Sequence, residues 1–414
     1  KVPELRKRFL WTIFLVAIFR IGIHIPVPGI DTSALSTLTE SGGLLSFYNL
    51  ISGGAFTKAS ILALSVSPYI NASIIMQLLT IAIPSLEQLS KEGEEGRKKI
   101  QSITRYVSIG IACVLALGVY STIANLGATS GVGTLEKIVI IFSLVVGSTF
   151  CMWLGDQITQ KGFGNGVSIL IFVNIVSQIP STVNSVYTLK TAGEISIIEI
   201  LLFLVGVIAL LAVTIFFSLA ERRVPIQYAG KAVGSKVMKG QSTHIPLSII
   251  GSAVIAIIFA MSVMMFPTTI AAFFPSKGWA SWITSSKYSI FNTGTWMYPV
   301  CYAVLTVFFT WFYTQITFKP DEMAENLHKS AGFVPGIRPG EATEKYFEKL
   351  LTKVSIIGGL FAAFLAVTPI LVGKYISGVQ FGGTSLLILI GVALDFSRQL
   401  DSQLVMRHYD GFLK

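Results

Sequence analysis

The chain has 414 residues, 52% of them hydrophobic and only 13% charged, with a net charge of +10 and a mean hydropathy of +0.71. Soluble domains average about 25% charged residues, so this composition excludes an ordinary soluble globule and makes lipid the solvent of the fold. The basic excess falls in a few segments, which points to charged surfaces beside membrane spans and away from a nucleic-acid groove.

Apolar runs recur at about residues 9–25, 66–83, 104–126, 137–155, 166–183, 195–219, 247–266, 296–317, 354–373 and 384–400, each near the length that crosses a hydrocarbon core about 30 Å thick. The first follows Lys1, Arg6, Lys7 and Arg8, lacks a small-residue cleavage site and leads into further runs. It therefore reads as a retained helix, not a removed signal peptide. Between the first two runs, the Gly-rich stretch from Ser46 to Leu64 is too short to span and leads directly into Val66 and Pro68. Non-helical backbone at membrane depth is tolerated only where protein buries it or water reaches it, so the stretch reads as a re-entrant piece lining a cavity. The fifth run opens with Phe163-Gly-Asn-Gly-Val-Ser-Ile-Leu-Ile171 and the tenth with Phe381-Gly-Gly-Thr-Ser-Leu-Leu-Ile388. The same phrase written twice indicates an internal duplication, with halves at 1–185 and 186–414 and a functional pathway between them. The expected fold is an all-α polytopic membrane protein of ten transmembrane helices in two pseudo-symmetric halves.

Ten spans put both termini on one side. With the termini inside, the cytoplasmic segments hold 24 of the 31 Lys and Arg residues, the outer side holds 6, and Arg20 lies within the first span. This is a strong positive-inside bias, centred on basic loops at 220–246 and 318–353. Ion-coupled carriers place ionisable groups at mid-depth, and here such marks are thin. Arg20 can snorkel to the outer surface, Glu199 starts its span, and Asp395 has Arg398 within reach on one helix face. Cys113, Cys151 and Cys301 lie in spans without a CxxC spacing, and His24, His244, His328 and His408 are scattered. Neither a disulfide framework nor a metal site is indicated. No GxxxxGK[ST] phosphate loop occurs, so nucleotide-driven work has to come from a partner.

Several longer motifs, in order along the whole chain, carry a family resemblance. They are His24-Ile-Pro-Val-Pro-Gly-Ile-Asp31, Pro68-Tyr-Ile-Asn-Ala-Ser-Ile-Ile75, Gln77-Leu-Leu-Thr80, Lys91-Glu-Gly-Glu-Glu-Gly-Arg97, Gly164-Asn-Gly-Val-Ser168, Gln241-Ser-Thr-His-Ile-Pro-Leu247 and Gly336-Ile-Arg-Pro-Gly340. The chain resembles the SecY family of protein-conducting channel subunits. The resemblance implies a clamshell around an hourglass pore, not an enzyme, with no cofactor, which passes unfolded secretory polypeptides across the membrane and releases transmembrane segments sideways into lipid.

By motif, the resemblance places a sealing ring of aliphatic side chains at Val66, Ile70, Val167, Ile171, Ile258 and Ile388. The i,i+4 spacing of Val66 with Ile70, and of Val167 with Ile171, puts each pair on one helix face, and a hydrophobic constriction closes by dewetting. The stretch from about Leu44 to Leu62, including Leu50, Gly53, Gly54, Phe56 and Ile61, becomes a plug. A lateral gate falls to the second and seventh spans, at Ile74, Gln77, Thr80, Ser262 and Phe266. The implied docking residues for the motor ATPase SecA and the ribosome are Arg222, Arg223, Lys231, Lys236, Lys239 and Arg338. The last stands between Pro335-Gly336 and Pro339-Gly340, where rigid turns hold it out. Further implied partners are the small membrane subunits SecE and SecG, a signal-sequence-bearing polypeptide and membrane lipid, in a bacterial inner membrane. The chain departs from the family pattern at Ser248-Ile-Ile250 and Ala253-Val-Ile-Ala256, before the seventh span. The rival reading from another class is an inverted-repeat secondary transporter, and a non-conducting insertase would need neither ring nor plug.

Overall fold

A computed structural model describes residues 3–30, 49, 52–125, 133–193, 196–228, 232–233, 236–237, 242–251, 253–273, 277–292, 294–375 and 383–410. In chain order the first elements are α1 (Pro3–Gly22), α2 (Ser67–Ala82), α3 (Pro84–Lys91), α4 (Glu94–Asn125), α5 (Thr134–Lys161), α6 (Gly166–Thr191) and α7 (Ile197–Leu219). Strands β1 (Glu221–Tyr228), β2 (Ala232–Val233), β3 (Lys236–Val237) and β4 (Ser242–Ser248) follow. The chain continues with α8 (Ala253–Phe273), α9 (Gly278–Ser285), α10 (Met297–Phe318), α11 (Pro320–Lys329), β5 (Gly332–Phe333), α12 (Glu341–Tyr375) and α13 (Gly383–Asp410). A helix therefore stands at each of the ten apolar runs. Six helical stretches among the described residues are long and apolar enough to cross a bilayer unaided, and α2 with α3, bent by 101°, forms a seventh candidate.

Local chemistry sets the helix ends. Asn165 accepts from the backbone of Val167 and Ser168 at 3.1 and 3.3 Å and so caps α6. Ser196 and Glu199 form a capping box on α7, with Glu199 Oε2 accepting from Ser196 N at 2.9 Å. Glu199 is therefore a helix cap. Pro84 removes a backbone donor and pushes Ile83 into an extended conformation, which makes the sharp bend between α2 and α3. Of α7 only Thr214 is buried. A helix apolar on every side has lipid as its neighbour.

Two expectations need correction. The seventh run, read as 247–266, starts its helix only at Ala253, because residues 242–248 are a strand. The basic segment 220–246, read as a loop, contains an antiparallel pairing of β1 with β4 from Glu221↔Ser248 to Gln227↔Ser242. Along β1 the alternation of exposed Arg223, buried Val224, exposed Pro225 and buried Ile226 is the strand period. Short β5 adds to the other side of β1, giving the order β4-β1-β5. The buried face meets Ala324 and Leu327 of α11, Val334, and Phe347 and Leu351 of α12, forming a small core of its own.

The chain folds into two compact units, residues 1–192 with 265–294 and 392–414, and residues 193–264 with 295–391. In the first, α1 packs on α5, α2 on α4, and α5 on both α4 and α6. A half-buried ion pair, Arg105 Nη2 to Asp156 Oδ2 at 2.7 Å, joins α4 to α5, and Gln101 donates to the other carboxylate oxygen at 3.4 Å. Asp156 lies one residue past the end of the expected fourth run, so the sequence reading passed over it. In the second unit, α10 and α12 form the most extensive helix pair. Gly359 makes their approach possible, since a Cβ there would stand 3.1 Å from Val307 Cα and 3.3 Å from Thr310 Cβ.

Gly359→Val is accordingly expected to cost about 1–3 kcal/mol through overpacking. The check is its thermal unfolding midpoint in detergent against Gly206→Val on α7, where nothing lies within 4 Å and no loss is expected.

Candidate functional site

Beyond α1 the chain turns into an extended stretch that receives the returning segment 52–66. Val27 N donates to Ala59 O at 2.8 Å and Ile61 N to Ile25 O at 3.0 Å, while Ser60 Oγ donates to Gly22 O at 3.1 Å. Gly53 and Gly54 take left-handed φ values of +67° and +85°, a conformation open to glycine without cost. Ala59 and Ser65 adopt it too, at +48° and +49°, which a Cβ makes strained. Phe56, 2% exposed, sits among Val27, Ala59, Ala63 and Leu64, against Ala116, Val119 and Ile123 of α4 and Ile140 and Leu144 of α5. Half-buried Ile61 lies at the margin of this cluster. Its carbonyl faces Gly147 of α5, where any Cβ would overlap it. Leu50 lies outside the described residues.

The opposite side of the segment is polar. A Cβ on Gly53 would stand 2.5 Å from Asn174 Oδ1 and 2.9 Å from Arg20 Nη1. Arg20 Nη1 donates to Ser177 Oγ of α6 at 2.9 Å. Arg20, read as snorkelling to the outer surface, makes a contact across to a neighbouring helix, where the Ser177 hydroxyl accepts from its guanidinium. Asn174, wholly buried, donates from Nδ2 to Ser65 Oγ at 3.4 Å, and Gln178 Nε2 donates to Asn49 O at 3.1 Å.

This polar contact also brings the first unit's ring candidates together. Val66 is the buried cap residue of α2, and half-buried Ile70 follows one turn on. On α6, Val167 and buried Ile171 are set by the glycine phrase. Gly164 turns at φ +81°, and Gly166 lies against the Gly155 carbonyl of α5 so closely that a Cβ would overlap it. Phe163 N is held by Thr12 Oγ1 at 3.0 Å, and Gly166 N by Thr159 Oγ1 at 2.8 Å. The Asn174–Ser65 bond then joins the residue before Val66 to the turn after Ile171. In the second unit, Ile258 on α8 and buried Ile388 on α13 lie on helices that meet nearby. A Cβ on Gly391, one turn from Ile388, would be 3.6 Å from Val254, one turn from Ile258. Phe381 and Gly382, from the second glycine phrase, lie outside the described residues.

Of the gate candidates, Ile74 is buried and Gln77 exposed on α2, while Thr80 Oγ1 donates back to Gln77 O at 2.7 Å. Ser262 donates to Ile258 O at 2.9 Å, so its hydroxyl is satisfied within α8, and Phe266 is exposed. Arg222 and Arg223 are exposed on β1. Lys231 and Lys239 lie outside the described residues, as does the side chain of Lys236 in β3. Arg338 is exposed on a turn between Gly336 and Gly340, whose φ values are +82° and +101°. Its neighbour Ile337 packs on the core around Phe347, and Thr343 Oγ1 donates to Arg338 O at 3.0 Å. The backbone is pinned on both sides while the guanidinium projects.

Sequence reasoning missed Asn174, Ser177 and Gln178. The signal was present: three polar residues at i, i+3 and i+4 in an apolar run share one helix face. Among the described residues no three His, Cys, Asp or Glu side chains gather as a metal site.

A family model described as SecY matches residues 60–397. The protein translocase subunit SecY of Rickettsia typhi is 40% identical over 420 residues, covering 99% of this chain and 96% of the relative. Among solved structures, one of a SecY protein whose plug domain stabilises the closed state of the translocation channel and maintains a membrane seal is 16% identical with a TM-score of 0.67. It matches over 98% of this chain and 94% of its own. Canine Sec61 in a ribosome-channel complex from the endoplasmic reticulum is 17% identical with a TM-score of 0.61, over the same shares of each chain.

Phe347 is the largest fully buried side chain of the core under β1. Phe347→Ala is expected to cost that core about 3–5 kcal/mol, seen as faster limited proteolysis between residues 220 and 248 with the span-embedded fragments unchanged.

Proposed function

This chain belongs to the SecY family, and we infer from that membership that it works as a multi-pass, protein-conducting channel. Unfolded secretory polypeptides thread through it, and apolar segments leave sideways into lipid. The lateral step has a simple driving force, since burial of apolar surface at about 25 cal/mol per Å² favours the bilayer for a span-length helix while a polar chain continues across. The observation that carries the reading is the buried, non-helical segment 52–66. Phe56 and its neighbours fill a wall between α4 and α5, and the polar side is held by α1 and α6. A plug needs these properties, because it is seated by packing and not by the span-length burial that would make it a permanent helix.

Around it we assign the ring to Val66, Ile70, Val167, Ile171, Ile258 and Ile388, and the gate to Ile74, Gln77 and Thr80 on α2 with Ser262 and Phe266 on α8. The halves meet at about residue 185. In this reading the membrane is a bacterial inner membrane with both termini cytoplasmic, SecE and SecG are the small subunits beside the channel, and the channel itself is passive. Energy is supplied by SecA or by the elongating ribosome, docked on Arg222, Arg223, Lys231, Lys236, Lys239 and Arg338. The exposure of Arg222, Arg223 and Arg338 on a folded sheet and a pinned turn supports docking of an acidic partner.

The plug is tested by a cysteine at Phe56 against a membrane-impermeant thiol reagent. It is expected to be shielded in the idle channel and reactive when a polypeptide occupies the pore; equal labelling in both states overturns the assignment. For the ring, Ile70→Asn, Ile171→Asn and Ile388→Asn are expected to wet the constriction and raise the resting ion conductance of reconstituted channels. Unchanged conductance in all three removes the ring. Arg338→Glu is expected to slow ATP-driven translocation about tenfold, on the scale of one lost charge contact at an interface, with the assembled channel intact by thermal unfolding.

A further inference from the structure

A guanidinium inside an apolar span is costly and is kept where it has work to do. Arg20 stands half-buried in the last turn of α1, and among the described residues no carboxylate pairs with it. Its partner is the Ser177 hydroxyl, which accepts from Nη1 and in turn donates to Asn174 O at 2.7 Å. Arg20 Nη1 and Asn174 Oδ1 both lie within 3 Å of the one point beside Gly53 that a Cβ would occupy. Gln178, four residues past Asn174, takes hold further back, at Asn49 O, the carbonyl that also accepts from Gly54 N at 2.9 Å and Ser52 Oγ at 3.2 Å. At the far end of the segment Asn174 Nδ2 reaches Ser65 Oγ. One face of α6 therefore hydrogen-bonds the segment at its beginning and its end, while Asn174 Oδ1 and Arg20 from α1 pack closely against its glycine bend.

We propose that Arg20, Asn174 and Gln178 form a polar latch on the segment 49–65 and act as specificity-determining residues, setting how strong a signal sequence must be to open the channel. The proposal rests on the reading of that segment as the plug. The two sides of the segment hold it by different physics. The Phe56 side holds by apolar burial, which weakens only when the whole surface separates. The latch side holds by hydrogen bonds, whose net worth is small because water replaces each partner once it enters. An arriving polypeptide that brings water to this face undoes the latch at little cost, whereas a dry idle channel keeps it closed. Gly53 is part of the device: at φ +67° and against two polar atoms, no other residue fits without moving the segment.

The latch has a signed test. In vesicles containing the complete translocon, export is measured for a substrate with an intact signal sequence and for one with a shortened apolar core, and the ratio of the two rates is the readout. Asn174→Ala and Gln178→Ala are expected to raise the export of the weak substrate relative to the intact one about fivefold, the worth of one net hydrogen bond. Asn174→Asp, nearly the same shape, sets a carboxylate beside Arg20 and is expected to move the ratio the other way. Ratios unchanged in all three, or shifted in one direction by both the Ala and the Asp variant, overturn the latch. Gln178 lies at the half-exposed rim of the cluster, so its variant reports even where a substitution at buried Asn174 impairs assembly. A chain lacking residues 49–57 separates the two readings. If that deletion, which removes Asn49 and with it the partner of Gln178, raises the leak and abolishes the effect of Gln178→Ala, plug and latch both stand; if the deleted chain behaves as wild type, the plug reading fails. If Gln178→Ala keeps its full effect in the deleted chain, the latch fails alone.

Discussion

A peptide group below the lipid headgroups has no water to bond, so a segment there must find every partner within the protein. Helices meet this demand internally. Residues 52–66 do not, and the arrangement of the first unit follows from how they are supplied. Their C-terminal part, at Ala59 and Ile61, borrows the backbone of Val27 and Ile25 in a short antiparallel contact. Their N-terminal part has one backbone bond back to Asn49, from Gly54 N at 2.9 Å, and otherwise side-chain ties: Thr57 N to Asn49 Oδ1 at 3.1 Å, Phe56 N to Ser52 Oγ at 3.3 Å, and Gln178 to Asn49 O. Backbone pairing is stiff and local, whereas side-chain ties release one at a time. The segment is therefore graded, with a fixed root next to α2 and a loosely tied tip.

Glycine is the second recurring device. Helices in lipid gain nothing from hiding apolar surface from one another, so association depends on close approach. Gly147 lets α5 meet the carbonyl of Ile61, Gly155 and Gly166 bring α5 and α6 backbone to backbone, and Gly358 and Gly359 do the same for α12 against Ile249 and Val307. Each contact replaces a side chain by a fixed interhelical distance. The first glycine phrase lies next to Val167 and Ile171, so these residues take their position from a backbone contact that tolerates no drift.

The helices were legible because span length and hydropathy are local properties. Three things were not. The strand pairing of residues 221–228 with 242–248 is non-local, and the basic residues between disguised it as a loop; only the alternation through Val224 and Ile226 hinted at it. The starts of α4 and α12 ran past the apolar windows, because charged turns such as Glu341 to Lys345, paired at 2.6 Å, continue a helix into water without adding hydropathy. The destination of Arg20 could not be read at all. Snorkelling and crossing to a neighbour look alike in one dimension, and the choice was made by Ser177, more than 150 residues away.

The β1–β4 hairpin has a mechanical meaning. Ala220 alone separates α7 from β1, and residues 249–252 separate β4 from α8, while Ile249 N donates to Ala220 O at 3.2 Å across the two exits. The hairpin is thus spliced into two membrane helices with almost no slack in either lead. Of these, α7 is nearly free of protein neighbours, whereas α8 carries Ile258 and Ser262. A load applied to Arg222 or Arg223 cannot be absorbed by the compliant turns that usually insulate a surface loop. It passes instead through the short leads to the last turn of α7 and the first turn of α8.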